Sequence, residues 1–341
     1  MLSPEASDAT TESLIDRLDG WLTASGRLPD LDAGETELDA ATDEPVELVN
    51  LAADQLTMSE AASDASEEVM EAAPAQEWVL PPIAENVRTE VIVVAAPKGG
   101  QGKTTTAINL AAGLAEVEPN SVVLVDADVQ FGDIANALEL TSQYSLADAV
   151  HAGNEEVALK ALLVHHDDDF FVLPAPLSPE LADGVTSDAL GALLDRLATM
   201  FRYVIVDTTP GLGDHTLTAL EHATDGVFVT SLTVTSLRAL RKEFELLLAL
   251  GLVPANRHVI LNFVEKNTGL LRKDAEAILG TGIDVEVPRS TGVVLASNSG
   301  IPLIHHDVRD SAAKALRSVV QRIEPSAVPT RRRIHRKTRN R

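Results

Sequence analysis

The sequence predicts an α/β fold, a three-layer doubly wound and mostly parallel sheet, and three observations carry that prediction. From residue 91 onward, short apolar runs are separated by segments of helical period. The runs are continuously apolar, not alternating, so both faces of the sheet are covered, as crossover helices cover parallel strands. The first run leads at once into a glycine-rich loop and then a helix, which is the entry to a doubly wound α/β unit.

Taken in order, the strands are expected at Val91–Ala96, Val122–Val125, Phe170–Leu173, Tyr203–Val206, Gly226–Thr230, Val259–Leu261 and Ile283–Val287. Apolar spacing predicts helices over Thr104–Ala115, Ser187–Met200, Thr216–Ala223 and Leu237–Leu250. A last helix is expected with Val308, Ala312, Ala315, Leu316, Val319 and Ile323 on one face, before Pro325 and Pro329 end the domain. No internal repeat is visible.

Charge divides the chain further. Residues 1–90 hold 22 acids against 3 bases, whereas residues 326–341 hold seven bases and no acid, within a total net charge of −25. We therefore expect three parts: a largely disordered acidic arm over 1–87, a folded domain over 88–325 and a disordered basic tail over 326–341. Inside the arm, Leu14, Leu18, Trp21 and Leu22 fall on one side of a possible short amphipathic helix, with Asp16, Arg17 and Asp19 opposite. Pro81-Pro82 closes it.

The chain has 341 residues, 45% of them apolar, enough for a sizeable core. It has no cysteine, which excludes disulfides, thiolate metal sites, iron–sulfur ligation by cysteine and a cysteine nucleophile. The N-terminus lacks a basic segment followed by an apolar one, and no apolar run reaches a spanning length of about 18 residues. A cytoplasmic location is expected.

The loop Pro97-Lys98-Gly99-Gly100-Gln101-Gly102-Lys103-Thr104-Thr105 carries the chemistry. It has the spacing and the strand–loop–helix context of a phosphate-binding P-loop, with Pro97 in place of the first glycine. Gly99, Gly100 and Gly102 let backbone N–H groups curl around phosphates, and the helix start at Lys103, Thr104 and Thr105 adds its positive dipole. Lys103 is the candidate for neutralising the β and γ oxygens and Thr104 for holding Mg²⁺.

The extra Lys98 gives KGGQGKTT, which resembles the deviant Walker A motif of the ParA/MinD family of ATPases. The resemblance extends over about residues 88–325 and implies a P-loop NTPase fold of the SIMIBI type. It implies ATP and Mg²⁺ as ligands and an ATP-dependent homodimer in which Lys98 reaches the partner's nucleotide. Leu124-Val125-Asp126-Ala127-Asp128 resembles the family's DxD switch, so Asp128 is expected near the attacking water and the metal, with Asp126 behind it. Tyr203–Val206 followed by Asp207-Thr208-Thr209-Pro210-Gly211 resembles Walker B and the second switch, with Asp207 near the metal and Thr209 in place of the usual proline. Val259-Ile260-Leu261-Asn262 and Val287-Pro288-Arg289-Ser290, with Ala296–Leu303, resemble the stretches around adenine, which implies base contacts at Asn262 and Pro288.

Gln130-Phe131-Gly132-Asp133 and Gly211-Leu212-Gly213-Asp214 look most like the CpaE/TadZ branch, associated with pilus assembly and polar localisation. A septum-site or chromosome-partitioning role is the family alternative, and each implies an activating or cargo protein. The tail has only Ile334 as a large aliphatic residue, so it offers DNA or anionic membrane an electrostatic contact and no inserting face. Contact of all seven bases with DNA phosphates would give a log–log salt slope of about −6. His165-His166-Asp167-Asp168-Asp169 and His305-His306-Asp307 are read as ordinary surface loops, since neither has helical metal-ligand spacing. The rival functions are an ATP-dependent ligase or synthetase of the same fold and a nucleotide-binding scaffold without turnover.

Overall fold

The computed structural model describes residues 78–83, 88–152, 156–265 and 269–327, all within the compact unit Pro74–Arg341. The proposed helix at residues 14–22, most of the acidic arm and nearly all of the basic tail lie outside the described residues. Trp78 and Leu80, which the sequence reading assigns to the arm, pack against the domain instead. The Trp78 indole stacks on His165 with ring centroids 3.5 Å apart.

Among the described residues, eight strands form one sheet in the order β3-β4-β2-β5-β1-β6-β7-β8. They are β1 (Glu90–Ala95), β2 (Val122–Ala127), β3 (Val164–His166), β4 (Phe170–Leu173), β5 (Tyr203–Thr208), β6 (Asp225–Ser231), β7 (Asn256–Val264) and β8 (Val285–Pro288). All seven expected runs are strands. The eighth, β3, is the sheet's antiparallel member, and its Val-His-His sequence contains no apolar run to announce it. The order of winding reverses at β1, between β5 and β6, so the loop after β1 opens into the crevice where ligands of such sheets bind.

The longer helices are α1 (Lys103–Ala115), α2 (Ser187–Met200), α3 (Asp214–Glu221), α4 (Val234–Leu250), α5 (Arg272–Leu279), α6 (Thr291–Ser297) and α7 (Ser311–Ile323). Pleating sends Val91, Val93, Val204 and Val206 to the face covered by α2 and α4. Ile92, Val94, Leu124 and Ile205 face the layer of α1 and α7. Val308 does not join the last helix as expected. Asp310 accepts from the N–H groups of Ala312 and Ala313 and caps α7, which leaves Val308 ahead of the cap and 45% exposed.

The two histidine–aspartate segments are surface loops only in part: Asp167, His306 and Asp307 are exposed, whereas Asp168 and His305 turn inward and meet. His305 Nδ1 lies 2.9 Å from Asp168 Oδ2 and His305 Nε2 lies 2.6 Å from Glu116 Oε1. Arg317 forms a two-pronged pair with Glu116, and His166 flanks Asp168 at 3.7 Å. An imidazole whose two nitrogens both face carboxylates must carry both protons. Burial opposes that charge, but Asp168 and Glu116 overcome it and raise the His305 pKa from 6.5 to about 9. The interaction is therefore complete below pH 6.5 and is lost as pH rises through about 9. His305→Gln is expected to cost on the order of 2–3 kcal/mol near pH 7 and much less above pH 10. Thermal melts of both proteins across that range check it, and an equal difference at all pH values would contradict it.

Candidate functional site

The loop after β1 is shaped by two glycines in left-handed conformation, Gly100 at φ 70° and Gly102 at φ 94°. No side chain caps the start of α1 at Gly102, so the first N–H groups of this helix are left for an anion. The loop is fastened from below. The Gln101 side chain accepts the Ser231 N–H at the end of β6 at 2.7 Å, and the Gln101 carbonyl accepts from Asn262 Nδ2 at 2.8 Å. Asn262 Oδ1 in turn accepts from the Phe263 N–H. The residue expected to contact a base is thus buried under the loop with both ends of its amide engaged by backbone. Pro288 ends β8 opposite Val264.

Thr104 and Asp207 meet at the end of β5, where the hydroxyl donates to Asp207 Oδ2 at 2.6 Å. The other oxygen, Asp207 Oδ1, is buried and finds no hydrogen-bond partner among the described residues. Burial lifts the Asp207 pKa to about 7, against the pull of the Thr104 hydrogen bond and the Lys103 charge. A buried carboxylate with an unused oxygen beside a hydroxyl is the donor set of a hard divalent cation, and Mg²⁺ fits it. Lys103 is buried beside these groups, while Lys98, Gly99 and Gly100 are exposed on the outer side of the loop.

Asp126 pairs across the sheet with Asp207. Its oxygens accept the N–H groups of Asp128 and Ile134, and burial, aided by the Asp207 charge, pushes its pKa up to about 8. It shapes the turn that presents Asp128. Asp128 is half-buried, accepts the Phe131 N–H at 3.3 Å, and is also raised by burial while Lys103 pulls it down.

A cavity of about 210 Å³ opens beside this loop. Thr104, Thr105, Ile108 and Asn109 of α1 form one side, Asp133 and Leu138 a second, and Val293, Ala296, Ile301 and Pro302 the third. Asn262 and Pro288 do not line it. Sequence reasoning missed Gln101, Asn109 and Asp133. Asp133 sits in the QFGD motif and Gln101 in the glycine-rich loop, but the roles of Gln101 and Asn109 depend on Ser231 and Ile304, remote in the chain.

A family model described as an AAA domain matches residues 89–247. A MinD homologue from Emiliania huxleyi is 30% identical over 248 residues, spanning 70% of this chain and 89% of that protein. The chain belongs to the ParA/MinD family of ATPases. The fold agrees: a ParA family ATPase from Chlorobium tepidum superposes with a TM-score of 0.65 at 22% identity, covering 68% of this chain and 98% of its own. The septum site-determining protein MinD from Pyrococcus horikoshii, complexed with Mg-ADP, gives 0.62 at 20% identity, covering 69% and 96%. Among the described residues no helix is long and apolar enough to cross a membrane.

Proposed function

We propose that the protein is a slow, Mg²⁺-dependent, partner-stimulated ATPase of the cytoplasm that acts as a dimerisation switch positioning cellular machinery. The observation that carries this is the convergence of Lys103, Thr104 and Asp207 at the mouth of a glycine-shaped loop. In this reading the N–H groups of Gly99–Thr105 hold the phosphates and Lys103 neutralises the β and γ oxygens. Thr104 and Asp207, with Asp128 nearby, hold Mg²⁺, which screens charge on the phosphates when bound. Asp128 orients the attacking water. The base enters the cavity beside α1, whose volume of about 210 Å³ suits one moiety and falls short of the roughly 300–1,000 Å³ of whole-ligand pockets. Asn262 supports the loop's flank through the Gln101 carbonyl.

Lys98, exposed on the loop, is assigned to a second copy's nucleotide, which ties turnover to assembly. The cargo is the pilus, septum or chromosome machinery named by the family's branches, and the tail beyond residue 325 supplies a weak electrostatic hold on DNA or anionic membrane. In this proposal the folded domain takes in residues 78–83 as well as 88–325.

Phosphate release tests it. Turnover is expected with ATP and Mg²⁺, to vanish with chelator, and to fall at least about a hundredfold in Lys103→Ala. Nucleotide binding without turnover would favour the scaffold reading, and acceleration by a small metabolite the ligase reading.

A further inference from the structure

We propose that His305, acting with Asn109, is a positioning residue for the nucleotide base, because it pins the segment Ile301–His306, whose first three residues line the cavity, to the phosphate-loop helix. This rests on the reading that places the base in that cavity. Ile301, Pro302 and Leu303 line the cavity, and the chain then turns through the four-residue helix Leu303–His306. So short a helix cannot hold its own shape in water. It is held from outside at three points. The Ile304 N–H donates to Asn109 Oδ1 at 3.0 Å, and Asn109 Nδ2 donates to the Thr105 carbonyl at 2.7 Å. The Ile304 carbonyl accepts from Arg317 at 3.1 Å. The third point is the His305 side chain itself, clasped by Glu116 at the end of α1 and by Asp168 of the β3–β4 turn.

The charged groups facing His305 are therefore Glu116, Asp168 with His166 behind it, and Arg317 through Glu116. Without the imidazolium, Glu116 and Asp168 would confront each other across the gap and drive the segment off α1. The phosphate loop lies at the opposite end of α1, held separately by Gln101 and Asn262. Loss of the clasp should consequently affect the base and spare the phosphates.

The test is calorimetric titration of the full chain with Mg-ADP and with tripolyphosphate, which has no base, each variant's melting temperature being measured alongside. His305→Gln is expected to weaken ADP about tenfold, consistent with loss of charge-assisted hydrogen bonds, and to change tripolyphosphate less than about twofold. His305→Lys, which restores a cation, should recover part of the ADP affinity. Equal losses for both ligands, or none for ADP, in a folded variant would overturn the proposal. Ala137→Phe, which fills the cavity from its Asp133 side, separates the two claims: unchanged ADP affinity there means the base binds elsewhere and the cavity reading itself is wrong.

Discussion

Gly102→Ala is expected to abolish nucleotide binding while leaving the domain folded. Position 102 has φ 94°, where an L side chain is strained by about 1–2 kcal/mol. Strain is the smaller effect. A Cβ there would lie 2.2 Å from Asn262 Nδ2, so Asn262 must leave, and with it the hydrogen bond that holds the Gln101 carbonyl. The loop then loses its lower fastening at the point where its N–H groups must converge on phosphate. A loss of at least about a hundredfold in ADP affinity is expected. Gly213→Ala is the control, since its φ is −73° and a Cβ there meets nothing within 4 Å. Calorimetry on the two variants decides it, and ADP binding by the position-102 variant at wild-type strength would refute the account of the loop.

Asp207→Asn is expected to move activity and stability in opposite directions. The carboxylate is held ready for a cation that balances it, and burial in the protein alone lifts its pKa to about 7. A carboxylate raised in this way costs stability as pH climbs from its ordinary 3.8 through about 7. Asparagine removes that cost and still accepts the Thr104 hydroxyl, so the variant should melt no lower than wild type at pH 8. Turnover should fall about 10²–10³-fold because the buried negative charge opposite Mg²⁺ is gone. A variant that is both active and less stable would contradict the assignment of Asp207 as a functionally strained group.

What the sequence made legible is what lies in contiguous residues. The β1–loop–α1 unit, the strand ends at Asp126, Asp128 and Asp207, and seven of the strands each carry their signal in a run of neighbours. β3 does not, because its place depends on pairing with β4, and two histidines conceal it from an apolar pattern. His305 and Asp168 illustrate the same limit more sharply. Each looked like part of a polar loop, and only the approach of two segments far apart in sequence makes them a buried ion pair. Asn262 was legible as a residue at the site through family resemblance, yet its partner, the Gln101 carbonyl, shows it as a buttress for the loop. Asn109 offered no signal at all, since an asparagine inside a helix gains meaning only from the Thr105 carbonyl and the Ile304 N–H it bridges.

In the proposed switch, Lys98 acts on the nucleotide of a second copy. The most direct measurement is mass in solution by light scattering, for wild type and Lys98→Ala, with Mg²⁺ plus either ADP or a non-hydrolysed ATP analogue, alongside phosphate release. The wild-type mass is expected to double with the analogue but not with ADP, and turnover to be lost in the variant. A mass that stays constant in every state, with turnover untouched by the substitution, would contradict the switch.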